Sequence, residues 1–266
     1  MAERQPEDRY LVPSVDLAMR VLSLLGRRRH RRETLAGLAQ QLGAPRTTLM
    51  RVVKTLVHHG ALVYHPAERV YSLGPTLMLL GHRAEASLSH IQVARSRLLP
   101  IATETGLTAF LVHRIRSDHL TYVAKEDSPR TLHVSVTLGQ EFPLERGLFG
   151  RVFCAFLPEA ECWRVAPRRM RDPDFLPSLE VVRRQGYAVA VEEQMPGVAG
   201  IAAPVFDHRA EPVMALAVVA LAADITPDRA QTVGRLLRDE GRAVTEGIGG
   251  RVPTFAAGPD AAPADR

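Results

Sequence analysis

Apolar residues recur with helical spacing three times in the first sixty positions. Leu17, Val21, Leu24 and Leu25 share one face, with Ser14 placed to cap the helix and Asp16 in its first turn. Leu35, Leu38 and Leu42 form a second stripe behind Thr34, another capping residue type, and Gly43 stands where a helix ends most cheaply in a left-handed residue. Pro45 suits a first helical position. Behind it Leu49, Val52, Val53, Leu56 and Val57 fall at i, i+3, i+4, i+7 and i+8, and Gly60 closes the stretch. The period then shortens: Leu62–His65 and Arg69–Leu73 read as two strands around the turn Pro66-Ala67-Glu68. Three helices followed by a hairpin predict a winged helix-turn-helix over residues 13–75, with the apolar stretch after Pro75 forming a linker helix over 76–89.

From about residue 90 helix and strand patterns mix. Leu98–Thr105 reads as a helix stopped by Gly106, and Thr108–Ile115 and Leu120–Lys125 as paired strands. Leu132–Thr137 alternates like another strand. Helices fit Leu148–Leu157, Glu159–Val165 and Leu176–Gln185. Tyr187–Val191, Gly200–Phe206 and Pro212–Leu221 read as strands, the last two joined by the turn Asp207–Glu211. A closing helix starts at Thr226, with Pro227 at its first position. The expected second domain, residues 90–250, is α+β with a mainly antiparallel sheet. Residues 1–12 and 251–266 are expected to be disordered, the latter being rich in Pro, Ala and Gly.

Charge divides the chain as the pattern does. Residues 1–83 hold 13 Lys and Arg against 6 Asp and Glu, a net of +7, and the remainder carries a net of −2. Such a split is expected when one domain meets phosphate and the other does not. The third helix explains it best: opposite its apolar stripe stand Arg46, Thr47, Met50, Arg51, Lys54 and His58, residue types that contact DNA from a major-groove helix. Arg46, Thr47, Thr48, Arg51 and Lys54 are the candidate DNA contacts, with Arg69 added from the hairpin. Arg46 and Arg51 have two open roles, a bidentate contact to guanine or a phosphate clamp.

No stretch approaches the roughly 20 apolar residues of a membrane span, and the N-terminus lacks a signal-peptide core, so a cytoplasmic protein with no membrane partner is expected. Cys154 and Cys162 match no metal or redox spacing, and no metal or cofactor is expected. His113, His119 and His133 lie on neighbouring predicted strands without forming a triad on sequence grounds. Adjacent Glu192 and Glu193 would point to opposite faces of a strand, which suits no shared acid-base site. Two readings stay open beside a ligand-regulated DNA-binding protein. One is a ligand-independent DNA-binding protein whose C-terminal domain only oligomerises, and the other is a small-molecule enzyme.

The segments SVDLAMRVLSLL, LAGLAQQLGAPRTTLMRVVKTLVHHGALVY and YSLGPTLMLLG resemble the DNA-binding domain of the IclR family of bacterial regulators. RRQGYAVAVEEQMPGVAGIAAPVFDHRAEPVMALAVV extends the resemblance, which covers most of Ser14–Gly249. It implies a GAF-like effector domain after the linker helix. It also implies homodimers, often paired into tetramers, binding partly palindromic double-stranded operators, and a small effector, often a carboxylate, that modulates repression or activation. The segment PLERGLFGRVFCAFL is similar to one wall of the family's pocket, where Gly147 replaces a usual small hydroxyl residue and Gly150-Arg151 replaces Gly-Lys. In EEQMPGVAGIAAPVF, similar to the second wall, Gly200 stands where many members have Cys. Arg146, Gly147, Arg151, Glu192, Gly197 and Gly200 are the candidate effector contacts. Leu77 and Leu80 of the linker are candidate dimer contacts.

Overall fold

A computed structural model describes residues 12–27, 30–87 and 89–253. The expected disordered ends, apart from Val12 and residues 251–253, lie outside the described residues, as do Arg28 and Arg29. The chain divides into two compact units, residues 1–87 and 88–266.

The first unit holds helices α1 (Pro13–Leu25), α2 (Leu35–Leu42) and α3 (Arg46–His58), strands β1 (Glu33–Thr34), β2 (Leu62–His65) and β3 (Val70–Leu73), and helix α4 (Pro75–Ser87). Its core gathers one face of each of the first three helices: Leu17, Val21 and Leu24 from α1, Leu35 and Leu38 from α2, Leu49, Val52 and Val53 from α3, closed by Leu62 and Tyr71 of the hairpin. Ser14 does not cap α1. The helix starts two residues earlier than that cap would place it, with Pro13 in the first turn, where its missing N–H is no loss, and Val12 at the cap without a side-chain bond. Thr34 does cap α2, accepting from the Gly37 N–H at 3.0 Å. Pro45 sits at the cap of α3 rather than inside it. Strand β1, invisible to periodicity at two residues, pairs with β3 (Glu33↔Tyr71, Thr34↔Val70) and makes the hairpin a three-stranded sheet in the order β1-β3-β2.

The second unit is built on a six-stranded antiparallel sheet in the order β6-β5-β4-β9-β8-β7. These strands are β4 (Thr108–Arg116), β5 (His119–Glu126), β6 (Glu141–Pro143), β7 (Ala188–Val191), β8 (Val198–Phe206) and β9 (Pro212–Leu221). Helices α5 (Ser89–Arg95), α6 (Leu98–Thr105) and α10 (Pro227–Gly247) cover one face. Helices α7 (Gly147–Cys154), α8 (Glu159–Val165) and α9 (Phe175–Gln185) cover the other. With both faces covered, the central strands read as continuous apolar runs, and alternate residues serve different cores. Phe110 and Val112 of β4 face the α7–α9 layer, whereas Ala109 and Leu111 face the α6–α10 layer. Thr226 caps α10 by accepting from the Arg229 N–H at 3.3 Å.

The expected strand at Leu132–Thr137 does not form. Its edge position beside β5 is taken by β6, which pairs Phe142 with Leu120. Side chains hold the displaced segment instead: Lys125 Nζ donates to Asp127 and to Ser135 Oγ, Ser135 Oγ donates to Asp127, and His133 Nδ1 lies 2.9 Å from the Arg130 carbonyl. Helix α7 ends at Cys154, three residues short of its expected end at Leu157.

Candidate nucleic-acid interface and effector recess

The turn between α2 and α3 is short because Gly43 takes a left-handed conformation (φ 61°, ψ 31°) at no steric cost. The Arg20 guanidinium reaches across from α1 and donates to the Leu42 carbonyl at 2.8 Å, satisfying the end of α2. Helix α3 is thereby set against α1 and α2 with Leu49, Val52 and Val53 buried. Its other side is open: Arg46, Thr47, Thr48, Arg51 and Lys54 are all exposed. At 100° per residue, Thr47, Arg51, Lys54 and His58 fall along the centre of that side, with Thr48 on its flank, while Arg46 falls nearer the apolar stripe and is exposed because it opens the helix. Among the described residues, the charged groups of Arg46, Arg51 and Lys54 have no ion-pair or hydrogen-bond partner. That contrasts with Arg20, Arg32 and Arg97, which pair with Asp16, Glu68 and Glu240. Cations left unpaired on one helix face are poised for an external anion.

The hairpin turn carries Arg69, exposed and held at φ 54°. A left-handed arginine costs on the order of 1 kcal/mol and marks a place where the surroundings impose the backbone. Its neighbour Glu68 accepts from Arg32 at 2.7 and 2.8 Å, tying the turn to the entry of β1.

In the second unit, a recess of about 430 Å³ opens beside α7 and α9. It brings together Gly147 and Arg151, expected from the sequence, with Arg169, Asp172, Asp174, Ser178, Glu193 and Gln194. The Arg151 guanidinium is mostly enclosed and donates 2.7 Å bonds to the Val189 carbonyl and to Glu193. Gly147 is left-handed (φ 54°), and the Gln194 side chain occupies the space where a Cβ would project.

The other sequence candidates do different work. Arg146 is the exposed cap residue of α7 and does not line the recess. Glu192 and Glu193 lie beyond β7 in a loop, so the expected two-faced strand geometry does not apply to them. Glu192 closes that loop, its carboxylate accepting from the Gly197 N–H at 2.7 Å. Gly200 pairs within the sheet with Ala190 and Val219, and a Cβ there would lie 3.2 Å from Leu148. Leu148 therefore fills the space in front of Gly200.

His113 stacks on His90 with ring centroids 5.6 Å apart. Burial, reinforced by His90, lowers the His113 pKa to about 4. Cys154 and Cys162 are free and buried. The contact with the Cys162 thiol and burial together push the Cys154 thiol up, so it stays protonated. Among the described residues no group of three or more His, Cys, Asp or Glu is arranged to hold a metal, and no helix is long and apolar enough to cross a membrane.

A three-helix unit with a hairpin and an open cationic third helix, followed by a separate α+β unit, defines the class of two-domain helix-turn-helix transcription regulators. Comparison with known proteins narrows the class. Residues 14–66 match the IclR helix-turn-helix domain, and residues 82–246 match the family described as bacterial transcriptional regulator IclR C-terminal. The chain belongs to the IclR family. It is 25% identical over 249 residues to the HTH-type transcriptional regulator XynR of Escherichia coli, spanning 90% of this chain and 98% of that protein. It is 28% identical over 255 residues to a glycerol operon regulatory protein of Streptomyces coelicolor, spanning 90% and 97%. The crystal structure of an IclR transcriptional regulator from Alicyclobacillus acidocaldarius superposes with a TM-score of 0.82 at 34% identity, covering 91% of this chain and all of that one.

Proposed function

We propose that α3 enters the major groove of double-stranded DNA, with Arg46, Thr47, Thr48, Arg51 and Lys54 as contacts and Arg69 reaching the adjoining backbone or minor groove. The observation that carries this reading is the exposed, unpaired cationic face of α3. The strained conformation of Arg69 supports a role for the hairpin as a wing. The protein acts as a homodimer or a dimer of dimers, presenting recognition helices roughly 34 Å apart to a partly palindromic operator. Leu77 and the exposed Leu80 of α4 contribute to that association, with Met78 and Leu79 beside them. The protein works in the cytoplasm by binding, not by catalysis.

The recess beside α7 is the effector pocket, and a carboxylate-bearing metabolite is its ligand. Ligand changes operator affinity only by binding the DNA-competent and DNA-incompetent arrangements unequally, with the linker carrying the difference. Electrophoretic titration of the protein against DNA from upstream of its own gene tests the DNA reading. Arg51→Ala should weaken binding about ten- to a hundred-fold. Loss of a phosphate contact at Lys54 should flatten the dependence of affinity on salt by about one unit of log–log slope. Unchanged affinity in Arg46→Ala and Arg51→Ala would overturn the assignment.

A further inference from the structure

Within the recess, the groups that a sequence reading favours are already engaged. Arg151 donates to the Val189 carbonyl and to Glu193, both within the protein, and the Gln194 side chain covers Gly147. Arg169 is the exception. A guanidinium carries five N–H donors. None of those on Arg169 makes a hydrogen bond to a described residue, and its Nε is enclosed without a partner. Its ion pair with Asp172, at 3.6 Å, is longer than a hydrogen bond. Its guanidinium lies 4.9 Å over the ring of Phe175, which is itself buried, so the plane has a fixed platform while its donors stand idle. A guanidinium anchored over a ring, with both terminal nitrogens free of hydrogen bonds, suits a planar, bidentate anion such as a carboxylate.

The opposite charge is also present without a partner. Asp174, exposed at the cap of α9, lines the same recess; its backbone N–H donates to Asp172, and its carboxylate accepts no bond from a described residue. Counting the lining, Arg151 and Arg169 face Asp172, Asp174 and Glu193, an excess of one negative charge. A plain carboxylate would satisfy Arg169 and deepen that excess. A plain amine would satisfy Asp174 and leave Arg169 idle. A molecule carrying both groups meets both needs, and about 430 Å³ falls within the usual range of small-ligand sites.

We propose that this recess binds a small zwitterion of the α-amino-acid class, its carboxylate on Arg169 and its ammonium on Asp174. The proposal rests on the reading of the recess as the effector pocket and names the ligand that pocket takes.

The test is calorimetric and thermal titration of the full-length protein with each standard L-amino acid, beside the matching acid without the amino group and the matching amine without the carboxylate. At least one amino acid, at concentrations up to about 10 mM, should raise the melting temperature by mass action, and its two truncated counterparts should bind at least about ten-fold more weakly. Arg169→Gln should weaken the amino acid about ten-fold or more, and Asp174→Asn should erase the preference for the amino acid over its deaminated acid. Should Arg169→Gln fail to fold by circular dichroism, Arg169→Lys, which keeps the charge and loses the fork, replaces it. The proposal is overturned if no amino acid binds, or if the Arg169 variant binds as the parent does. If a carboxylate lacking an ammonium binds equally well and alters operator affinity, the pocket reading survives and the zwitterion does not. If an amino acid binds without altering operator affinity, the zwitterion stands and the effector role falls.

Discussion

Acidification should destabilise the second unit through one half-buried histidine. His113, on β4, has its pKa lowered to about 4 by burial and then by His90, against an ordinary value of 6.5 in an unfolded chain. The fold therefore favours the neutral ring. The stability that this preference contributes is complete above pH 6.5 and is lost as pH falls from there toward 4, because the unfolded chain takes up a proton that the folded one refuses. Integrating that difference between pH 7 and pH 5 gives a loss of about 2 kcal/mol. The carboxylates held low, Asp118 by its bond to His119 and Asp127 by its bonds to Lys125 and Ser135, lose their contributions at lower pH and leave this window clear. Trp163, the sole tryptophan, sits on α8 of this unit, so its fluorescence follows this unit's unfolding. Urea denaturation at pH 7 and pH 5 should show the loss in the parent, and His113→Gln should remove most of the pH dependence. A parent whose stability is flat between these pH values, or a variant with the parent's slope, would refute the argument.

Gly147→Ser, which installs the family's usual hydroxyl, should destabilise this unit by about 1–2 kcal/mol, because φ 54° disfavours any side chain and Gln194 must leave. Adding Gln194→Ala should recover only the part due to crowding, as read by urea titration of Trp163 fluorescence. Thr34→Ala should cost about 1 kcal/mol by removing the cap of α2. It should lower the N-terminal transition in circular dichroism and leave the Trp163 transition in place. Cys154 and Cys162, buried and in the case of Cys154 held as a thiol, should both resist a disulfide reagent in the native protein and react once it is unfolded.

The DNA-binding unit was legible because its signals are local. Thr34, Gly43 and the stripe from Leu49 to Val57 each act within a turn or two of helix, and the structure places them close to their expected roles. Ser14 misled because Pro13 starts a helix as readily as a serine caps one. Strand β1 escaped because two residues carry no period; only its register with Tyr71 and Val70 makes it a strand. The segment Leu132–Thr137 alternates as a strand should, yet the competition for the sheet edge was decided by Phe142 finding Leu120. The recess was half legible. Gly147 and Arg151 followed from resemblance. Arg169, Asp172 and Asp174 stand in a charged stretch between two expected helices, with no pattern that marks them until Phe175 is seen beneath the guanidinium. The bond from Arg151 to Glu193 spans 42 residues, beyond any local pattern.

Guanine protection by the full-length protein on its own upstream DNA puts the role of α3 to the most direct trial. Dimethyl sulfate methylates guanine N7 in the major groove, where an arginine fork would lie. The parent should shield guanines in two clusters about one helical turn apart, and Arg51→Ala should lose protection at a guanine in each cluster while binding more weakly. Full protection with undiminished affinity in Arg51→Ala would contradict a recognition helix that reads DNA through its cationic face.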